Sequence, residues 1–139
     1  MNDEVWSPWV PIEGLLPKYY IDAVLDTMEH LKVILSDENE SHQVQIIFET
    51  SARSYEHTNE SFCHQIIADL YKNYGHDFFA KWTFFKIANS SYIQRLSVQA
   101  PYSGINKFTH FCFVASDSLL HILSYEDPQV IRIEKTKKK

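Results

Sequence analysis

The chain has 139 residues, 45% of them apolar and 14% aromatic, which is one domain's worth with enough bulk for a real core and too apolar for composition-driven disorder. No apolar run approaches the roughly 18 residues of a membrane span, the start Met1-Asn2-Asp3-Glu4 lacks the basic-then-apolar order of a secretory signal, and two cysteines make no disulfide framework, so a reducing cytoplasm is the expected compartment. The net charge of −5 argues against general nucleic-acid binding, which needs lysine and arginine to displace counterions.

Residues 1–18 contain Trp6, Pro8, Trp9, Pro11 and Pro17, a proline density that prevents a regular helix and predicts an extended arm laying two indoles onto the domain. Residues 19–29 fit helical spacing and strand alternation alike, and a strand suits the strands that follow. Leu31–Leu35 and Val44–Phe48 read as strands joined by the polar hairpin loop 36–41. Residues 51–58 read as a loop, after which Thr58 or Asn59 caps a helix with Glu60 in its first turn. Phe62, Ile66, Ile67, Leu70, Tyr71 and Tyr74 fall on one helical face, and Gly75 is a natural stop. Trp82–Ile87 reads as a strand, Asn89 or Ser90 caps a short helix to about Gln99, and Pro101 closes it. Phe108–Ala115 and Leu119–Ser124 form an antiparallel pair about the turn Ser116-Asp117-Ser118, and Val130–Ile133 adds a short edge strand. The expected class is α+β: a mainly antiparallel sheet of about five to six strands with two helices on one face. One domain spans 1–134, and 135–139 form a frayed lysine-rich tail.

The candidate chemistry is sparse. His110 and Cys112 share a strand face; a tight turn at Asp117-Ser118 would bring His121 onto the same face of the next strand, and one more turn residue would move it to the opposite face. These three suit zinc by type but lack an obvious fourth ligand, and half-buried sheet positions explain them as well. Cys63 and His64 diverge on their helix and form no nucleophile–base pair. Ser54–Glu60 holds Glu–His acid/base potential, yet a loop entering a capped helix explains the same residues. No phosphate-loop, dinucleotide, HExxH or GxSxG pattern is present, and neither cofactor nor metal is expected.

The charge layout says more than its sum. Residues 1–62 carry 12 acidic and 3 basic side chains, and residues 63–139 carry 6 and 10. Asp22, Asp26, Glu29, Asp37, Glu38, Glu40, Glu49, Glu56 and Glu60 lie on the first strands and their flanks. Brought together they make a field suited to a basic protein partner, with Tyr19, Tyr20, Tyr55 or Trp82 as aromatic anchors. A solvated hairpin accounts for the same carboxylates.

Four pieces in one order carry a resemblance: Leu31–Leu35; Ser54-Tyr55-Glu56-His57-Thr58-Asn59-Glu60; Tyr74-Gly75-His76-Asp77-Phe78 with Trp82-Thr83-Phe84-Phe85; and Asn89-Ser90-Ser91-Tyr92. His110-Phe111 and Tyr125-Glu126-Asp127-Pro128 extend it. Over about residues 19–130 the chain resembles small cytoplasmic immunity proteins encoded beside polymorphic or contact-dependent toxins of Gram-positive bacteria. The resemblance implies a non-enzymatic antitoxin. It would bind the C-terminal domain of a secreted toxin, often a nuclease with a basic cleft, and occlude its active site through Asp22, Asp26, Glu29, Asp37, Glu38, Glu40, Glu49, Tyr55, Glu56 and Glu60, without touching nucleic acid or membrane. The rival readings are a regulatory binding module or homodimer, and a hydrolase using residues 54–60.

Overall fold

Alternation along the chain builds the first sheet. In the computed structural model, which describes residues 3–49, 52–101, 104 and 107–135, strand β1 (Val5–Pro8) is followed by β2 (Tyr20–Asp26), β3 (Leu31–Ser36) and β4 (His42–Phe48). Leu31, Val33 and Leu35 of β3 and Val44, Ile46 and Phe48 of β4 are buried, while Lys32, Ile34, Gln43, Gln45 and Ile47 between them face outward and are half-buried. That period of two makes a sheet with one covered face. Strand β5 (Ala52–Asn59) then leads through a 3-10 turn (Glu60–Phe62) into helices α1 (His64–Tyr74) and α2 (His76–Ala80). Strand β6 (Phe84–Ala88), helix α3 (Ser91–Gln99) and strands β7 (Thr109–Val114), β8 (Ser118–Ser124) and β9 (Gln129–Glu134) complete the order.

The class is α+β, as the sequence suggests, with the strands divided between two antiparallel sheets. The four-stranded sheet runs β2-β3-β4-β9 and the five-stranded sheet β1-β6-β7-β8-β5. Phe84, Phe111, Phe113, Leu120 and Ile122 pack against Val33, Leu35, Val44, Ile46 and Phe48 to form the core between the sheets. On the other face of the five-stranded sheet, Phe85, Cys112, Val114 and Leu119 pack against Leu70 and Ile67 of α1 and Phe78 of α2, and Leu123 packs against Tyr92 of α3. The molecule therefore has three layers: sheet, sheet and helices.

Several expectations change. Residues 52–59 form a strand where a loop was expected, and β5 closes one edge of the five-stranded sheet by pairing with β8 from Asn59↔Ser118 to Ala52↔Ser124. Asn59 caps the 3-10 turn, accepting from Ser61 N–H at 2.9 Å, and α1 starts only at His64. Phe62 therefore falls outside α1, while Ile66, Ile67, Leu70, Tyr71 and Tyr74 share one helical face. Leu70 is buried and Ile67 half-buried, while Phe62 is 82% exposed and Ile66, Tyr71 and Tyr74 also face solvent. The edge strand read at 130–133 is β9, at the rim of the four-stranded sheet. The N-terminal arm is extended as expected. Its β1 pairs with β6, sending Trp6 into the helix-side core and Trp9 into the inter-sheet core. From residue 136 onward the lysine tail lies outside the described residues, as do Met1, Asn2 and Ser51. Among the described residues no helix is long and apolar enough to cross a membrane.

Lys18 ties three elements together. Its ammonium donates to the carbonyls of Phe79 at 2.9 Å, Trp82 at 3.2 Å and Val114. Burial pulls its pKa down to about 8.

Candidate functional site

The ten residues expected to form one acidic field do not gather. Asp22, Asp37, Glu38 and Glu40 sit at the end of the four-stranded sheet that carries the β3–β4 hairpin. Asp26, Glu29 and Glu49 lie at its opposite end, where the Tyr55 hydroxyl donates to Asp26 at 3.3 Å. The two groups are separated by the length of β3, roughly 20 Å of strand. Glu56 points to the other face of β5 from Tyr55, and Glu60 sits in the 3-10 turn. Nine of the ten are exposed, so they remain available to a partner. Asp37 is the exception: at 5% exposure its carboxylate accepts from Ser41 N–H and Ser41 Oγ, both at 2.8 Å, and it organises the hairpin instead of facing a partner. Of the expected aromatic anchors, Tyr19 is wholly buried and Trp82 half-buried with its indole donating to the Trp9 carbonyl at 3.1 Å. Tyr20 and Tyr55 are each 38% exposed.

A different site emerges where α1, α3 and the helix-covered face of the five-stranded sheet meet. A cleft of about 550 Å³ opens there, within the size range of ligand sites. Ile66, Leu70 and Tyr74, spaced four apart, make the α1 wall, and Tyr92 with Arg95 makes the α3 wall. Trp6 from β1, His110 from β7 and His121 from β8 also line it. The α3 wall is fixed at its start by two caps. Ser90 accepts from Ile93 N–H at 3.0 Å, and the Glu4 carboxylate accepts from Ser91 N–H at 2.8 Å and Ser91 Oγ at 2.7 Å. Asn89, in the left-handed region at φ 53, makes the sharp entry that places Ser90 there.

Three carboxylates line the cleft against one guanidinium. Glu56 pairs with Arg95 at 2.5 Å, and Arg95 lies 5.0 Å from the Tyr92 ring centroid. Asp69 accepts from Gln65 at 2.9 Å. With Glu4 included, the described residues of the lining carry three carboxylates and one guanidinium.

The two histidines form the floor. The hairpin turn is tight, with Ala115 N–H donating to the Ser118 carbonyl at 3.0 Å, so His121 stands directly across from Cys112 and on the face of His110, as a tight turn predicts. His110 Nε2 and His121 Nδ1 are 2.7 Å apart, and His110 Nδ1 lies 2.6 Å from Ser90 Oγ. Burial, and then the neighbouring His121, depress the His110 pKa to about 3. Burial also lowers that of His121, which Glu56 and Glu4 partly raise again. The His110 ring is therefore neutral at neutral pH. Both nitrogens of His110 are engaged, and among the described residues no group of three or more His, Cys, Asp or Glu is placed to hold a metal ion. Burial raises the thiol pKa of both Cys112 and Cys63, so neither is an activated nucleophile. In the 54–60 segment, His57 Nε2 meets Ser118 Oγ at 2.9 Å, an anchoring contact across the β5–β8 pair.

Of the ten expected residues only Glu56 lines the cleft. Glu4, Asp69 and Arg95 come from three separate stretches of chain and carry no local motif. The one available signal was the Ser90–Ser91–Tyr92 cap, which places the start of α3. The architecture defines a three-layer domain with an acidic, aromatic-walled cleft between two helices. Comparison with known protein families, curated proteins and solved structures gives no match.

Proposed function

We propose that the chain is a small cytoplasmic immunity protein that binds and neutralises the basic C-terminal domain of a bacterial toxin, most often a nuclease in such systems, without carrying out a reaction of its own. The observation that carries this reading is an acidic surface interleaved with aromatic side chains that the core leaves out. The carboxylates of Glu4, Glu56 and Asp69 border the cleft, and Tyr71, Tyr74, Ile66 and Phe62 stand exposed along the neighbouring helix and its entry turn. Large apolar groups grouped beside like charges are the composition of a protein-docking patch: the rings supply anchors, and the charges select and steer a partner of opposite sign. The exposed carboxylates Asp22, Asp26, Glu29, Glu38, Glu40, Glu49 and Glu60 extend the negative potential around the sheets and favour encounter with a basic surface. A tight inhibitor needs about 800 Å² per partner, more than the cleft alone supplies, so α1 and its flanks belong to the patch.

The test is co-purification of the chain with the toxin domain encoded next to it, followed by assay of that domain's activity. A stable complex with loss of toxic activity is the expected result. Absence of binding at micromolar concentrations overturns the reading.

A further inference from the structure

The cleft between α1 and α3 has an uncommitted polar atom on its floor. His121 spends Nδ1 on His110, and its Nε2, on the far side of the ring, has no hydrogen-bond partner among the described residues. A buried side-chain nitrogen left without a partner would be costly, and none occurs among the described residues, so Nε2 is open to the cleft. The cleft it faces is lined by the carboxylates of Glu4, Glu56 and Asp69 and by the rings of Trp6 and Tyr92. Trp6 and Tyr92 meet His121 edge-on, at 6.4 and 6.2 Å between ring centroids.

We propose that this cleft is a socket for one arginine side chain of the partner, in which the guanidinium lies against the aromatic walls and donates to His121 Nε2 and to the carboxylates of Glu56 and Asp69. The identity of the partner rests on the immunity reading above; the chemistry of the socket does not. A guanidinium offers five N–H donors in a plane, which suits acceptors arriving from different walls, and it stacks on rings. The chain's own Arg95 already lies over Tyr92 in this manner and pairs with Glu56 at 2.5 Å, so the incoming guanidinium shares both with it. An ammonium is more strongly hydrated and directs its donors from a point, so arginine is favoured over lysine.

The histidine pair suits this ligand. When Ser90 Oγ accepts from both Ile93 N–H and His110 Nδ1–H, His110 Nε2 accepts from His121 Nδ1–H, and His121 Nε2 presents a lone pair to the cleft. The opposite polarity of the same chain puts an N–H there, which a guanidinium cannot use. Cation binding selects the first arrangement.

The experiment titrates the full chain with N-acetyl-L-arginine amide while the His121 ring and the Trp6 indole are followed by NMR, with the uncharged citrulline analogue as control. Expected are saturable shifts at both rings, with a Kd on the order of 10 mM, no response to citrulline, and loss of the response in Ile66→Arg, which places a competing cation on an exposed wall position. Unmoved His121 and Trp6 resonances, or an equal response to citrulline, overturn the socket. Parallel binding to the neighbouring toxin domain separates the two proposals. An arginine response without a toxin complex overturns the immunity reading and leaves the socket standing. A toxin complex unaffected by Ile66→Arg and by Glu56→Gln with Asp69→Asn overturns the socket and leaves the immunity reading. The socket predicts about tenfold weaker toxin binding in that double variant.

Discussion

His42 is wholly buried, and both of its ring nitrogens are engaged. At one end Leu16 N–H donates to the Tyr19 hydroxyl at 2.8 Å, and that hydroxyl lies 2.8 Å from His42 Nε2. At the other end Asp37 accepts from Ser41 Oγ, which therefore accepts from His42 Nδ1–H at 3.0 Å. A fully satisfied buried network rigidifies what it joins, and removing one member strands its neighbours. Replacing His42 with Phe is expected to cost about 2–3 kcal/mol in denaturant unfolding; a change below about 0.5 kcal/mol would show that the network holds nothing together. The second histidine site has a pH signature. The pKa of His110 is about 3 in the folded chain against an ordinary 6.5. The unfolded chain therefore binds more protons between these values, and the stability contribution present above pH 6.5 is lost as pH falls towards 3. From His110 alone, acidification from about pH 7.5 to about pH 5 is expected to lower stability by about 2 kcal/mol, with His121 adding in the same direction. His110→Asn should flatten that slope, and an unchanged slope in the variant would assign the acid sensitivity to other groups.

At the scale of elements, α1 separates residues that hold the fold from residues free to bind. Leu70 is 3% exposed in the helix-side core, whereas Phe62 is 82% and Tyr71 57% exposed. Leu70→Ala is expected to destabilise by about 2–5 kcal/mol, while Phe62→Ser and Tyr71→Ser each stay within about 0.5 kcal/mol by thermal unfolding. Large losses at Phe62 or Tyr71 would place them in the core and remove the docking patch. The sequence pointed to an apolar helix here and began it too early: Phe62 falls in the 3-10 turn, and Ile66 and Tyr71, at the two margins of the helical face, stay exposed. Strand β5 was missed as well. Ser54, Glu56 and Thr58 face the helices and Tyr55 and His57 the other side, so both faces of this edge strand are polar or aromatic and no apolar alternation marks it. The apolar row that holds it in place is supplied by β8, a contact distant in sequence.

At the scale of the whole molecule, the double layering was written in the contrast between two kinds of strand. β3 and β4 alternate because only one face is covered, whereas Phe111-Cys112-Phe113-Val114 in β7 and Leu119-Leu120 with Ile122-Leu123 in β8 are apolar at consecutive positions because sheet and helices cover both faces. Strand order was not readable in the same way, since the pairings of β1 with β6 and of β5 with β8 join distant segments. Charge layout along the chain also misled: the acidic half folds into opposite ends of one sheet, and the cleft draws Glu4, Glu56 and Asp69 from both halves. The layering predicts that amides of β7 and β8, central in the five-stranded sheet, exchange slowest with solvent, and those of the edge strands β2 and β9 fastest among the strands. Slowest exchange at the four-stranded sheet's rim would contradict the assignment of the central layer.

The docking surface itself is tested most directly by hydrogen exchange on the chain bound to the toxin domain encoded beside it. New protection is expected in residues 62–74 and 91–96, along the two walls of the acidic cleft. Protection confined to the outward face of β3, β4 and β9, with α1 and α3 exchanging as in the free chain, would contradict that docking surface.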